Sequence, residues 1–307
     1  MAHHAGVSFP VGKTDFLTLE PLGFAEFTQA LGETGLHELL ISGSLADIET
    51  ARAGFIETLR QYYCVGGMPE AVSSFAAHKD YAQVREIQKN LLNSYERDFS
   101  KYAPSATVPR IRSVWNSIPS QLAREQRKFV YGLVREGARA REYETAVDWL
   151  CDAGLLRRLR RVAKPGLPLK SYAEREAFKL YLLDVGLLAC HAGVPVEALV
   201  HGDTAFEEFK GALTEQYVAQ ELALMREMEA FYWTAERAEA EVDFVVQRGT
   251  EILPIEVKAA ENLQAKSLKS YRDKYSPARC YRFSLSPWRE ESWLSNIPLY
   301  SISRFRT

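Results

Sequence analysis

A chain of 307 residues with 47% apolar and 25% charged side chains has the composition of a globular protein and room for two or three domains. No apolar run approaches the ~20 residues needed to span a bilayer, and Met1–Gly6 lacks the basic flank and apolar stretch of a secretory signal. The cysteines, Cys64, Cys151, Cys190 and Cys280, are scattered without a Cys-x-x-Cys pair, which argues against a zinc ribbon and a disulfide framework. The expected compartment is the reducing cytosol. His3 and His4 are assigned no function.

The net charge of −2 hides an asymmetry: residues 122–175 are basic, 201–263 strongly acidic and 264–307 basic again. An acidic block between basic ones suits a cation-binding pocket flanked by surfaces that meet polyanions. Solvated helix faces would give the same pattern.

Val7–Lys13 leads into a strand-like run over Phe16–Leu19, which has no neighbours in sequence and should belong to a sheet supplied elsewhere. A helix follows from Pro21 to about Leu31, and another over residues 46–63, with Ile48, Ala51, Phe55, Leu59 and Tyr62 at helical spacing. Gly66-Gly67-Met68-Pro69-Glu70 punctuates the chain, Pro69 suiting a first helical turn. Helices are expected over 79–98 and 107–118. The next unit reads as an amphipathic helix over Glu142–Leu156, then β-like runs over Leu155–Val162 and Phe178–Leu183. Ala163–Glu176 forms a loop between those runs, and Asp184–Leu188 follows them. Helix, long-tipped hairpin and following turn predict a winged helix-turn-helix. Arg157, Arg158, Arg160, Arg161, Lys164 and Lys170 would lie on its wing, within reach of phosphates. A structural or protein-binding module fits that pattern too.

Residues 206–285 carry the chemistry. Phe206–Met228 predicts a long helix with Glu215 near its middle. Strands follow at Phe231–Trp233, Glu241–Gln247 and Ile252–Lys258. With Gly249 and Thr250 at the centre of a tight hairpin turn, Asp243 faces Glu256 and shares a sheet face with it and with Lys258. Val242, Phe244, Ile255 and Val257 then point into a core, and Pro254 predicts a bulge or an unpaired edge. Adjacent carboxylates repel unless something positive lies between them. A hard divalent cation, Mg2+ or Mn2+, bound by Asp243 and Glu256 answers that cost. Lys258 would orient a water or steady developing phosphorane charge, and Glu215 would complete the site. A half-exposed sheet face with a Lys258 salt bridge explains the same residues without chemistry. Downstream, a basic helix over Ala260–Tyr271 and a strand over Ala278–Ser284 are expected. Lys266, Lys269, Arg272 and Lys274 would face a nucleic-acid backbone, or simply solvent.

Glu241-Val-Asp-Phe-Val-Val, Pro254-Ile-Glu-Val-Lys258 and Lys266-Ser-Leu resemble the C-terminal DUF4143 domain of bacterial and archaeal AAA-type ATPases, a domain similar to the PD-(D/E)xK nuclease superfamily. Upstream blocks agree in order. Ser8–Lys13 with Leu19–Phe27 resembles the end of the family's ATPase domain. Tyr63–Ala71 resembles its helical lid, and Tyr95–Asp98 the helix beyond. The family's Walker A motif is absent, since Gly12-Lys13-Thr14 follows Val7 where the first glycine belongs. No ATP site is carried over.

The resemblance implies an N-terminally truncated or split member with an α+β multidomain fold. Residues 1–125 would be a remnant of the AAA ATPase end and helical lid, 126–200 a winged-helix-like domain, and 201–307 a restriction-endonuclease-like α/β domain. The implied function is nucleic-acid association with Mg2+-dependent phosphodiester hydrolysis; the alternative is a non-enzymatic protein- or DNA-binding adaptor that keeps only the nuclease fold. The implied partners are DNA and a separate ATPase subunit or other protein.

Overall fold

The structure is a computed structural model that describes residues 17–202, 207–235, 239–259 and 265–306. Helices dominate the first half: α1 (Phe24–Ala30), α2 (Thr34–Ser42), α3 (Leu45–Thr50), α4 (Arg52–Val65), α5 (Pro69–His78), α6 (Tyr81–Tyr102), α7 (Val108–Leu122) and α8 (Ala140–Asp152). Local chemistry sets several boundaries. Ser44 and Asp47 form a reciprocal capping box at the start of α3, and the chain turns at Ala51. The single helix expected over 46–63 is therefore two. Pro69 occupies the first turn of α5, and the Asp80 carboxylate accepts from the Ala82 and Gln83 amides to open α6.

The second half alternates β1 (Leu156–Val162), β2 (Ala173–Leu182), α9 (Val185–His191), α10 (Glu207–Ala223), β3 (Ala230–Thr234), β4 (Glu241–Arg248), β5 (Glu251–Val257), α11 (Lys266–Tyr275), β6 (Cys280–Ser284), β7 (Arg289–Glu290) and β8 (Leu294–Pro298). Among the described residues the strands form one mixed sheet in the order β2-β1-β3-β4-β5-β6-β8-β7. Helix α8, the β1–β2 hairpin and α9 follow the order expected of a winged helix. However, β1 also bridges β3 at Arg161↔Tyr232, so the hairpin continues the downstream sheet. One apolar core, with members from Phe24 to Phe305, lies on the α10 side of that sheet. A smaller core under α11 gathers Val162, Trp233, Val242, Val245, Leu268 and Tyr271 on the other side.

Residues 17–19 form no strand. The Arg226 guanidinium donates to the Thr18 carbonyl at 2.8 Å, and Glu20 pairs with Arg157. The isolated strand expected there thus lies pinned across the end of α10 and β1, while Val7–Lys13 and Phe16 fall outside the described residues. Pro254 causes no bulge on its own hairpin. It stands opposite Val245 in an unbroken register, and the β5–β6 ladder starts just after it, at Ile255↔Tyr281. The basic helix begins at Lys266, with residues 260–264 outside the description. Strands β7 and β8 and the closing 3-10 turns of Leu299–Arg306 were not anticipated.

Candidate active site at the end of β4 and β5

The β4–β5 hairpin has the expected register, from Arg248↔Glu251 to Phe244↔Ile255. Its turn is set by Gly249, whose φ of 58° lies where a side chain is disfavoured. The ladder stops one residue short of Asp243. There the Asp243 Oδ2 accepts from the Val257 amide at 2.7 Å, so a side chain takes the place of a backbone partner.

Across β3 the register slips: Phe231 pairs with Val245 but Trp233 pairs with Val242. One extra residue of β4 is accommodated there, a β-bulge that re-aims side chains. Val242 and Val245 both belong to the core under α11, whereas Phe244 and Val246 belong to the α10-side core. Asp243 is turned toward α10. Oxygens of Glu215, Glu241 and Asp243 lie within 4.8 Å of one another.

Two cations meet this cluster. Lys179, on β2 and fully buried, places its Nζ 2.5 Å from Glu241 Oε1 and 3.4 Å from Glu215 Oε1. Arg127 pairs with Glu215 Oε2 at 2.9 Å, and the Tyr181 hydroxyl donates to the same oxygen at 3.2 Å. Burial alone would push the Glu215 carboxyl up, but Arg127 and Lys179 outweigh it and bring it down to about 2. Asp243 goes the other way. Burial pushes its carboxyl well above the ordinary range, and the neighbouring Glu215 adds to the rise. Burial opposes the Lys179 charge, yet Glu215, Tyr181 and Glu241 hold its ammonium well above the ordinary value.

Glu256 and Lys258 form a second group. Glu256 is 4% exposed, and its Oε1 lies 2.8 Å from Lys258 Nζ. Its Oε2 is buried without a hydrogen-bond partner among the described residues. Both residues open on a cavity of about 760 Å3, together with Asp243, Glu241, Glu239, Arg124, Arg127 and Ser267. The expected residues Asp243, Glu256 and Lys258 thus share one cavity wall, and Glu215 lies behind it. Glu256 is not a member of the Glu215–Glu241–Asp243 cluster, because the bulge turns Asp243 toward α10.

Sequence reasoning missed Glu241, Lys179 and Arg127. Glu241 could have been found, being two residues from Asp243 on the same strand. Lys179 interrupts the apolar run Phe178–Leu183, and a lone lysine in a buried strand signals a buried ion pair. Arg127 carries no comparable signal.

The wing arginines are largely engaged. Arg157 pairs with Glu20, Arg158 with Asp148 at 2.6 Å, and Arg161 with Glu174 at 2.5 Å. Arg160 makes no ion pair or hydrogen bond among the described residues and lines a smaller cavity of about 300 Å3. Lys266 and Lys269 are exposed on α11, whose Ser267 borders the larger cavity.

With this geometry in place, similarity can be assigned to segments. Residues 210–302 match DUF4143, a domain of unknown function. Residues 56–198 match a second domain of unknown function, DUF8612. No curated protein and no solved structure matches the chain. Glu215, Glu241, Asp243, Glu256 and Lys258 fall in the DUF4143 segment, whereas Arg127 and Lys179 come from the DUF8612 segment. The acidic cluster therefore comes from the DUF4143 segment and the cations that meet it from the DUF8612 segment. No helix among the described residues is long and apolar enough to cross a membrane.

Proposed function

We propose that the cavity at the end of β4 and β5 is a nuclease-type site, in which Asp243 and Glu256 hold Mg2+ or Mn2+ for phosphodiester hydrolysis in nucleic acid. The observation that carries this reading is Glu256, which lines a cavity with Asp243 and Lys258 and whose buried Oε2 has no donor among the described residues. Leaving such an oxygen bare is costly, and an all-carboxylate donor set suits a hard divalent ion. When bound, that ion supplies Lewis-acid polarisation of the phosphate and an acidified water.

The chain's own groups do the rest. The Val257 amide fixes Asp243. Lys258 is 36% exposed at its side chain and rests against Glu256, so its ammonium reaches the cavity. There it orients a water or stabilises phosphorane charge. Arg124 on the rim and exposed Lys266 and Lys269 neutralise backbone phosphates of a DNA partner. Similarity of the 210–302 segment to DUF4143 agrees with the motif resemblance that suggested this chemistry.

One observation favours a second reading. Lys179 and Arg127 already neutralise Glu215 and Glu241, as in a scaffold that keeps a nuclease shape to bind protein or DNA without cleaving. Incubation of the full chain with supercoiled plasmid and Mg2+ or Mn2+ separates the two. The nuclease reading expects metal-dependent nicking that falls by about 10²-fold or more in Lys258→Ala. A metal-binding protein that never nicks plasmid or single-stranded DNA is the adaptor.

A further inference from the structure

Three carboxylates with oxygens within 4.8 Å of one another, Glu215, Glu241 and Asp243, would ordinarily be the first place to seat a metal ion. The same geometry argues against it. Lys179 Nζ already sits 2.5 Å from Glu241 and 3.4 Å from Glu215, with 0% side-chain exposure and hence no route to swing away. Arg127 approaches Glu215 from its other oxygen at 2.9 Å, and the Tyr181 hydroxyl takes part of the remaining valence. A divalent ion on that side would have to lie beside two fixed positive charges in a poorly screened interior.

The other side of the cavity differs. Glu256 offers a buried oxygen that has no partner among the described residues. Its ion-pair partner among the described residues, Lys258, is partly exposed on a four-carbon stem that can move aside. The buried Arg282, opposite Glu256 in the β5–β6 ladder, is engaged by Asn296 Oδ1 at 2.9 Å and by Glu291 at 3.7 Å.

We infer that the site takes a single divalent cation, on the Glu256 side of Asp243, because Lys179 and Arg127 fill the Glu215–Glu241 side as built-in cations. The inference rests on the cation reading above. It also makes the DUF8612 segment, source of both cations and of the cavity wall at Arg124, the element that sets ion number.

Mn2+ titrated into the full chain, followed by calorimetry and by the electron paramagnetic resonance of free Mn2+, tests it. The expected result is one ion per chain. Glu256→Gln should weaken binding by about tenfold or more, while Glu241→Gln should leave affinity and stoichiometry unchanged. Lys179→Met, checked for folding by circular dichroism, should gain a second ion. Two ions on the wild type would overturn the inference while leaving the cation reading standing. So would a large loss in Glu241→Gln with none in Glu256→Gln, or a folded Lys179→Met that still takes one ion. A flat wild-type titration overturns both. Should Lys179→Met fail to fold, the wild-type stoichiometry and the Glu241→Gln and Glu256→Gln pair decide alone.

Discussion

Two buried acidic groups in this molecule look alike in sequence and differ in what surrounds them. Asp184, fully buried at the start of α9, accepts from the Gly67 amide at 2.6 Å, the Leu187 amide at 2.9 Å and Gln220 Nε2 at 3.2 Å. Gln220 also donates to the Tyr62 hydroxyl at 2.9 Å and accepts from the Val185 amide at 2.9 Å. The backbone is shaped around this carboxylate. Gly66 has φ of 74°, and a Cβ there would meet Asp184 Oδ1 at 2.1 Å. Here the carboxylate oxygens end on protein donors, so the group joins α4, α9 and α10 and offers nothing to a ligand. Around the β4–β5 cavity, by contrast, Glu256 Oε2 has no donor among the described residues, and opposing charges are packed behind the cavity wall. A closed polar network marks scaffold, and an open valence on a cavity marks a site.

Substitutions sharpen that contrast. Lys179→Met leaves Glu215 and Glu241 facing each other without their shared ammonium and should cost about 3–5 kcal/mol in chemical denaturation, the scale for breaking a buried pair from one side. A loss below about 1 kcal/mol would mean the network is solvated and the cavity extends behind it. Asp184→Ala removes a helix cap and strands the Gly67 and Leu187 amides, for an expected loss of about 2–3 kcal/mol. Mn2+ affinity of the folded variant should not change; if it falls, the Asp184 group and the cavity are coupled and the contrast fails.

The pH dependence combines two groups of opposite sign. Glu215 is held at about 2 in the fold, below the carboxyl's ordinary 4.5. Its stabilising pairing is therefore fully present above about 4.5 and is lost as pH falls through about 2. Asp243, raised in the fold, has the opposite sign, favouring the folded state at acid pH and losing that contribution as pH rises through its folded value. Glu215→Gln should flatten the acid limb of a stability profile between pH 4.5 and 2. An unchanged acid limb would show that the Arg127 and Lys179 pairing contributes nothing.

Local pattern explains how much of this was legible. The β4–β5 register followed from Gly249-Thr250 and strand alternation, and it placed Asp243, Glu256 and Lys258 at one end of the hairpin. The bulge between Val242 and Val245 could not be read, because it depends on how β3 packs across both cores. That bulge turns Asp243 toward Glu215 and Glu241 and away from a direct pairing with Glu256. Lys179 reaches the cluster from β2, 36 residues before Glu215, a contact that only the assembled sheet creates. The wing arginines were placed on the right strand, but short-range composition did not reveal that Glu20, Asp148 and Glu174 would occupy Arg157, Arg158 and Arg161.

The most direct test is a calorimetric titration of Mn2+ into the wild type and Asp243→Ala at matched pH. The account predicts saturable binding to the wild type and its loss in a variant that remains folded. Equal affinity in the two proteins, or no binding by either, would contradict a cation site at the end of β4 and β5.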